Sequence, residues 1–431
     1  MQNMSKRTKM ILAIAGVVVV VGIVVGVVMM QTTSSQLSGA AASVTRILRV
    51  VPRGKTTLPC GSNWATDACS LQTALGSASS GDEIWVMKGK YVPTRSILDR
   101  NASFKIDKAI SIYGGFAGTE TTRNQRDPAT QVTILSGDID NNDINADKNN
   151  IDETTSNIVG NNSYHVVTVS NSMATGAVLD GFTITGGKAN NDSDCSATST
   201  NGCGGGVVIN SGNPTFSNIT IIGNLANNSM FTQHTGGGGM FIVFATPNLT
   251  NVTFTGNSAA NGGGMFIQMA SPTLTNVTFN NNVAYAGGGI YDYWGSNPTL
   301  INTTFSQNTA TMAGSNVTDR LGSAIFMDGN VGIQIYNSIF WGDDATEIVG
   351  AATLSDSVIA GGCPSGATCT NIITDDPLLD TIGDYGGSTK TFPLLPGSSA
   401  IDATSDHCPA ADQRGVARSS PTCDIGAFES Q

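Results

Sequence analysis

The chain has 431 residues, a net charge of −11 at neutral pH and only 12% charged residues. That balance excludes nucleic acid and an anionic membrane surface as natural partners, because phosphate binding needs a concentrated basic patch. Glycine is abundant, at 51 residues, but does not recur at every third position, which excludes a collagen-like rod.

Lys6, Arg7 and Lys9 precede Met10–Met30, an uncharged run of apolar residues and glycine. Its length suits a bilayer-spanning helix and exceeds the apolar core of a cleaved signal peptide. The basic flank places the N-terminus inside. The spacing therefore predicts a cytoplasmic basic segment (1–9), a signal anchor (10–30) and a Ser/Thr/Ala/Gly linker (31–45), with a cleaved secretory peptide as the alternative. Everything after it is then extracytoplasmic, at the cell surface.

Arg46–Pro52 reads as a first strand. Ser70–Ser80 has Leu71, Ala74, Leu75 and Ala78 at helical spacing behind a Ser70 N-cap, a short helix suited to covering the open end of a stack of strands. Asp82–Val92, Phe104–Tyr113, Val132–Leu135 and His165–Val169 follow as strand-bearing coils. Asp138–Glu153 interrupts them with an acidic insertion. In it, Asp138, Asp140 and Asn142, or Asp143, Asn145 and Asp147, have the alternating oxygen spacing of a calcium loop. Neither frame has the Gly at its sixth or the Glu at its twelfth position, and a solvated acidic loop is the other reading. Calcium is the one cofactor the sequence suggests.

From Gly237 to Asn308 the chain says one thing three times. Gly237-Gly238-Gly239, Gly262-Gly263-Gly264 and Gly287-Gly288-Gly289 start 25 residues apart, and each leads to a Pro, an Asn and a Phe-x-x-Asn run. A fixed period of this size marks a solenoid. Short Thr, Val, Ile and Phe runs broken by Gly, Asn and Pro are strand and turn chemistry. The pattern predicts an all-β fold, a right-handed parallel β-helix over 46–360. Asn251, Asn276 and Asn302 should form an amide ladder, Phe254, Phe279 and Phe305 an aromatic stack, and Phe241 to Phe326 an inward-facing column.

These motifs (FTGN, FNNN, FSQN after the Gly triplets) resemble the repeats of polymorphic outer-membrane proteins and related pectin-lyase-like surface β-helices. CGSNWATDACSLQTALGSASSGDEIWVMKGKYVPT (60–94) is similar to the entry coils of such proteins. LLPGSSAID (394–402) and CDIGAFES (423–430) resemble a choice-of-anchor domain, which implies a C-terminal capping domain over 361–431.

The eight cysteines fall into four sequential couples: Cys60–Cys69, Cys195–Cys203, Cys363–Cys369 and Cys408–Cys423. Eight cysteines allow about 105 pairings. Sequential bridging is the expectation, in an oxidising compartment.

Gly204 to Thr318 holds one acidic residue, Asp292, and no Lys or Arg. A face without ionisable groups cannot perform general acid–base work. The carboxylates nearest to a glycosidase arrangement are Asp292 and Asp328, with Asp343 and Asp344 one coil later; turn aspartates are the bland alternative. Tyr293 and Trp294, beside the Gly295-Ser296-Asn297 turn, suit stacking on sugars. His165 and His407 are single and read as structural. The sequence thus favours a non-enzymatic surface stalk or adhesin that contacts surface glycans or a host or neighbouring cell. A polysaccharide lyase or glycoside hydrolase is the alternative.

Overall fold

The computed structural model describes residues 45–191, 201–226, 235–311, 322–329, 332–343 and 346–431. The chain divides into two units, Met1–Thr45 and Arg46–Gln431. The expected membrane span Met10–Met30 lies outside the described residues. Among those residues, no helix is long and apolar enough to cross a membrane.

The second unit is a parallel β-helix. One full coil shows how the sequence builds it. Met265–Gln268 lies in an eight-stranded sheet, Thr273–Asn280 in a long sixteen-stranded sheet, and Val283–Ala284 in a narrow five-stranded ladder. The next coil repeats it in register: Met265 pairs with Ile290, Leu274 with Leu300 and Phe279 with Phe305, all parallel. Asn276 takes a left-handed φ of 53° and bends its strand between two faces. Asn218, Asn251, Asn302, Asn337 and Asn371 do the same on other coils. Asparagine tolerates this conformation better than other residues with a Cβ.

Like then stacks on like. Phe254, Phe279, Phe305 and Phe340 lie nearly parallel inside the solenoid, with ring centroids 4.7, 4.5 and 4.9 Å apart. The third glycine of each triplet makes room for them. A Cβ on Gly264 would sit 2.7 Å from the Gly289 carbonyl and 2.9 Å from the Phe279 ring. The first glycine, Gly262, turns the chain with a φ of 60°.

The expected amide ladder is present in part. Asn251 Nδ2 donates to Asn218 Oδ1 (3.2 Å), and Asn276 Nδ2 to Asn251 Oδ1 (3.3 Å). It is interrupted between Asn276 and Asn302, where the C-terminal segment supplies competing partners, and resumes where Asn337 Nδ2 donates to Asn302 Oδ1 (3.4 Å). Arg418 donates to Asn276 Oδ1, and Asn302 Nδ2 donates to the carbonyls of Asp424 and Gly426. A second ladder, from the Phe-x-x-Asn motif, is fully buried and continuous. Asn224, Asn257, Asn282 and Asn308 each donate to the side-chain oxygen of the next, and Asn308 donates to Asp343.

Met240, Ile242, Met265, Ile267 and Ile290 fill the interior. Phe241, Phe266 and Tyr291, expected to point inward, occupy the opposite face of the same sheet. There they form a separate buried apolar cluster with Val208 and Val243. Side chains alternate along a strand, so only one of two neighbouring columns can face inward.

Leu71–Ser77 is helical, capped by Ser70 Oγ accepting from the Thr73 amide (3.2 Å). It buries Leu71, Ala74 and Leu75 against the first strands of the solenoid. The chain beyond Ile373, expected as a cap, runs back along the flank of the long sheet. Thr253 and Asn276 donate to the carbonyls of Lys390 and Ala411, and Arg418, held within the segment by a buried pair with Glu429 at 3.0 Å, donates to Asn276 Oδ1 (3.1 Å). The outward Asn and Thr columns present rows of donors, and the segment's carbonyls accept them. Disulfides join Cys60–Cys69, Cys363–Cys369 and Cys408–Cys423, as the sequential rule predicts. Cys203 is also disulfide-bonded; its expected partner Cys195 lies outside the described residues.

Candidate ligand-binding cleft and carboxyl cluster

The acidic insertion folds against the start of the solenoid. Gly89–Tyr91 pairs with Thr133–Ser136, which brings Lys90 beside the residues that follow Ser136. Lys90 Nζ donates to Asp138 Oδ2 (2.7 Å) and to Asn141 Oδ1 (3.3 Å). Asp138 is 4% exposed, and the isolated bridge between Asp138 and Asn162 fixes the backbone there.

Two cavities meet at this ion pair. A cleft of about 750 Å³ is lined by Arg53, Gln72, Tyr91, Arg95, Lys90 and Asp138, among others. A smaller polar cavity of about 200 Å³ holds Lys90, Asp138, Asp143, Asn145, Lys148 and Asp152. Both share Asn141 and Asn150.

Asp143 and Asp152 form a carboxyl pair in the smaller cavity, hydrogen-bonded to each other. Burial pushes both above the usual carboxylate range. Asp152 rises further, because the charges of Asp143 and Asp138 add to its burial. Two close carboxyls in a low-dielectric site cannot both ionise without a counter-charge. The Val159 amide and Asn162 Nδ2 (both 2.6 Å) donate to Asp143 and partly offset this. Asn162 is fully buried, and its Oδ1 has no partner; Asn145 Oδ1 is orphaned in the same way. The cluster therefore pairs an excess of negative charge with unused oxygen acceptors.

The two predicted calcium frames do not close on a single point. Asp138 and Asp143 line the small cavity. Asp140 accepts from Asn142 Nδ2 (3.2 Å) and the Asn161 amide (2.9 Å), and Asp147 accepts from Asn149. Among the described residues, no three His, Cys, Asp or Glu side chains converge as a complete ligand set. Two carboxyls with amide oxygens fit a hard cation of the calcium type, which takes such mixed oxygen donors only when they can gather around it. Asp143, Asp152, Asn145 and Asn162 are the residues that would hold it. Asp152 belongs to the insertion but not to either sequence frame, and nothing in the sequence ties Lys90 to it.

The other proposed carboxylates are separated. Asp292 pairs with Met327 and Tyr293 with Asp328, so the one-residue offset puts Asp292 and Asp328 on opposite faces. Asp292 points into the core between Ile267 and Met327, fully buried, with neither oxygen hydrogen-bonded. Burial raises its pKa to about 7. Asp328 accepts from the Tyr291 hydroxyl (2.9 Å). Asp343 ends the buried amide ladder, and Asp344 lies outside the described residues. His165 is buried with Nδ1 donating to the Gly204 carbonyl (3.0 Å), and burial lowers its pKa to about 4. His407 lies flat on Tyr336. Trp294 is 56% exposed, whereas Tyr293 packs against Phe266 and Tyr291.

No family model matches the chain, and no curated protein does. The resemblance to polymorphic outer-membrane repeats and to a choice-of-anchor tail thus has no family match behind it. Among solved structures, the crystal structure of pectate lyase Pel9A is similar, with a TM-score of 0.45 at 12% identity, covering 90% of this chain and 97% of that one. That likeness assigns no residue of the cleft.

Proposed function

We propose that this protein is a membrane-tethered, extracytoplasmic β-helix that binds glycans, and that its working site is the cleft at the head of the solenoid. The observation that carries this reading is the junction of an open cleft with the Lys90–Asp138 and Asp143–Asp152 pairs. Arg53, Lys90 and Arg95 offer charge to an acidic glycan, while Tyr91 offers an apolar ring and Gln72 and Asn150 amides. The central coils, which expose no charged side chain among the described residues from 204 to 311, serve as a neutral shaft. Anchoring by Met10–Met30 fits a surface location.

A calcium-type cation would supply the counter-charge that the carboxyl pair otherwise takes from a proton. Cation and proton then compete, so affinity rises with pH. Millimolar calcium is expected to raise the melting temperature more at pH 8 than at pH 5, and Asp152→Asn to abolish the shift. No shift at either pH would mean that the carboxyl pair holds no cation.

A second reading, glycan cleavage, is favoured by one observation: Lys90 and a proton-holding carboxyl pair stand on adjoining walls of the same site. A glycan array probed with the purified protein, with an assay for new reducing or unsaturated ends on each hit, separates the two. Retention without new ends supports binding; new ends replace it with cleavage; no retention on any glycan overturns both.

A further inference from the structure

A second ligand surface lies on the turn that follows the eight-stranded sheet. Val243, Gln268 and Tyr293 pair across successive coils, so the residues after them, Phe244, Met269 and Trp294, stack as a column on that turn. The Met269 amide donates to the Trp294 carbonyl, which ties the rungs together. Phe244 is 49% and Trp294 56% exposed, and Met269 is half-buried. The side chains lean along the column: Trp294 lies against Gly329, and Met269 reaches over Gly295.

Their backbone is the telling feature. Phe244 and Met269 have φ of 51° and 46°, the left-handed region that bulky side chains avoid. Ser211 and Gly329, at the two ends of the same column, are also at positive φ, whereas at the Trp294 rung the following residue, Gly295, takes that conformation (φ 74°). At the other strained turn of the coil, this chain places asparagine six times over, from Asn218 to Asn371. The turn geometry alone therefore calls for Asn or Gly. Phe and Met are kept where they strain the backbone and gain only partial burial, which is the pattern of residues held for what they present to solvent.

We propose that Phe244, Met269 and Trp294 form a stacking ridge for a linear neutral glycan. The choice of ligand follows from charge and shape. Among the described residues from 204 to 311, there is no Lys or Arg, and the single acid, Asp292, is buried in the core. An anionic ligand finds no counter-charge here, and the nearest carboxylate, Asp328 beside the end of the column, is engaged by the Tyr291 hydroxyl. The rungs repeat at the strand spacing of about 4.8 Å, which presents an evenly spaced apolar strip to an extended chain of sugar rings. Asn213, Thr246 and Asn297 flank the strip as exposed hydrogen-bonding groups for hydroxyls. This inference rests on the reading of the protein as a glycan binder, but on a different face from the head cleft.

The test uses the full chain in a depletion assay against insoluble cellulose, chitin and mannan, with a soluble acidic polysaccharide as the probe of the head cleft. Wild type is expected to be retained on at least one neutral polymer. Trp294→Ala combined with Phe244→Asn and Met269→Asn should lower that retention at least tenfold. The two asparagine changes relieve strain, so the melting temperature should hold or rise, which separates lost binding from lost folding. Binding of the acidic probe should be untouched. Equal retention of the triple variant, or no retention of wild type on any neutral polymer while the acidic probe still binds, overturns the ridge alone. Loss of both kinds of binding in wild type overturns the ridge and the glycan reading together. If sedimentation shows self-association that depends on these three residues, the ridge is an interface between copies and the proposal fails.

Discussion

Asp292→Ile is expected to stabilise the protein by about 3 kcal/mol at pH 8, and by less at pH 5. Asp292 stands in a column with Ile242 and Ile267, so isoleucine restores the pattern of its neighbours. The carboxyl has no hydrogen-bond partner, and Ser296, the hydroxyl close enough to help, gives its proton to the Tyr293 carbonyl (2.7 Å). The sign follows from linkage. The folded-state value of about 7 lies above the unfolded carboxyl value. The native state then holds the extra proton, and stability falls as pH rises from the unfolded value to about 7, then levels off. Asp143, Asp152, Asp343 and Glu347 are raised by burial in the same sense, so the variant should flatten the pH profile without removing its slope. Chemical denaturation at pH 5 and pH 8 reads both effects. An unchanged midpoint at pH 8 would mean that the carboxyl is partnered after all. The structure offers no compensating interaction that explains why an aspartate is kept there.

Asn282→Ala should cost about 2–3 kcal/mol, a large loss for one polar side chain. Asn282 Oδ1 accepts from the amide and Nδ2 of Asn257, and its Nδ2 donates to the Phe254 carbonyl and Asn308 Oδ1. All three asparagines are fully buried. Alanine leaves the buried Asn257 amide without an acceptor and strips one of two partners from Asn257 Nδ2, which keeps the Ile221 carbonyl, and from Asn308 Oδ1, which keeps the residue 282 amide. Thermal melting with a far-ultraviolet readout checks it; a loss under 1 kcal/mol would show that the ladder is ornamental to the stack.

The repeat made the shaft legible because identical residues recur at the coil period. The phenylalanine stack, the glycine triplets and the sequential disulfides each follow from local pattern. The buried ladder was written there too, in Phe-x-x-Asn, yet the outer asparagines draw the eye because their triplets are longer. Asp292 and Asp328 show where register alone misleads. Their one-residue offset was readable, but its meaning is fixed by the two-residue alternation of a strand, which sends one inward and one outward. The head cleft was half legible: the acidic insertion announced itself, whereas its meeting with Lys90 depends on a pairing 48 residues apart. No local pattern encodes that. The path of the C-terminal segment is invisible for the same reason, since its contacts with Thr253 and Asn276 span about a third of the chain. Phe244 and Met269 were missed because their interest lies in backbone φ.

The head cleft is tested most directly by retention on an immobilised acidic polysaccharide, comparing wild type with Lys90→Ala and Asp152→Asn, with and without calcium. Wild type should bind more tightly with calcium than with chelator. Lys90→Ala should lose at least tenfold in affinity, and Asp152→Asn should bind equally in both conditions. Retention of both variants at the wild-type level, with the same response to calcium, would contradict the placement of the site at the head of the solenoid.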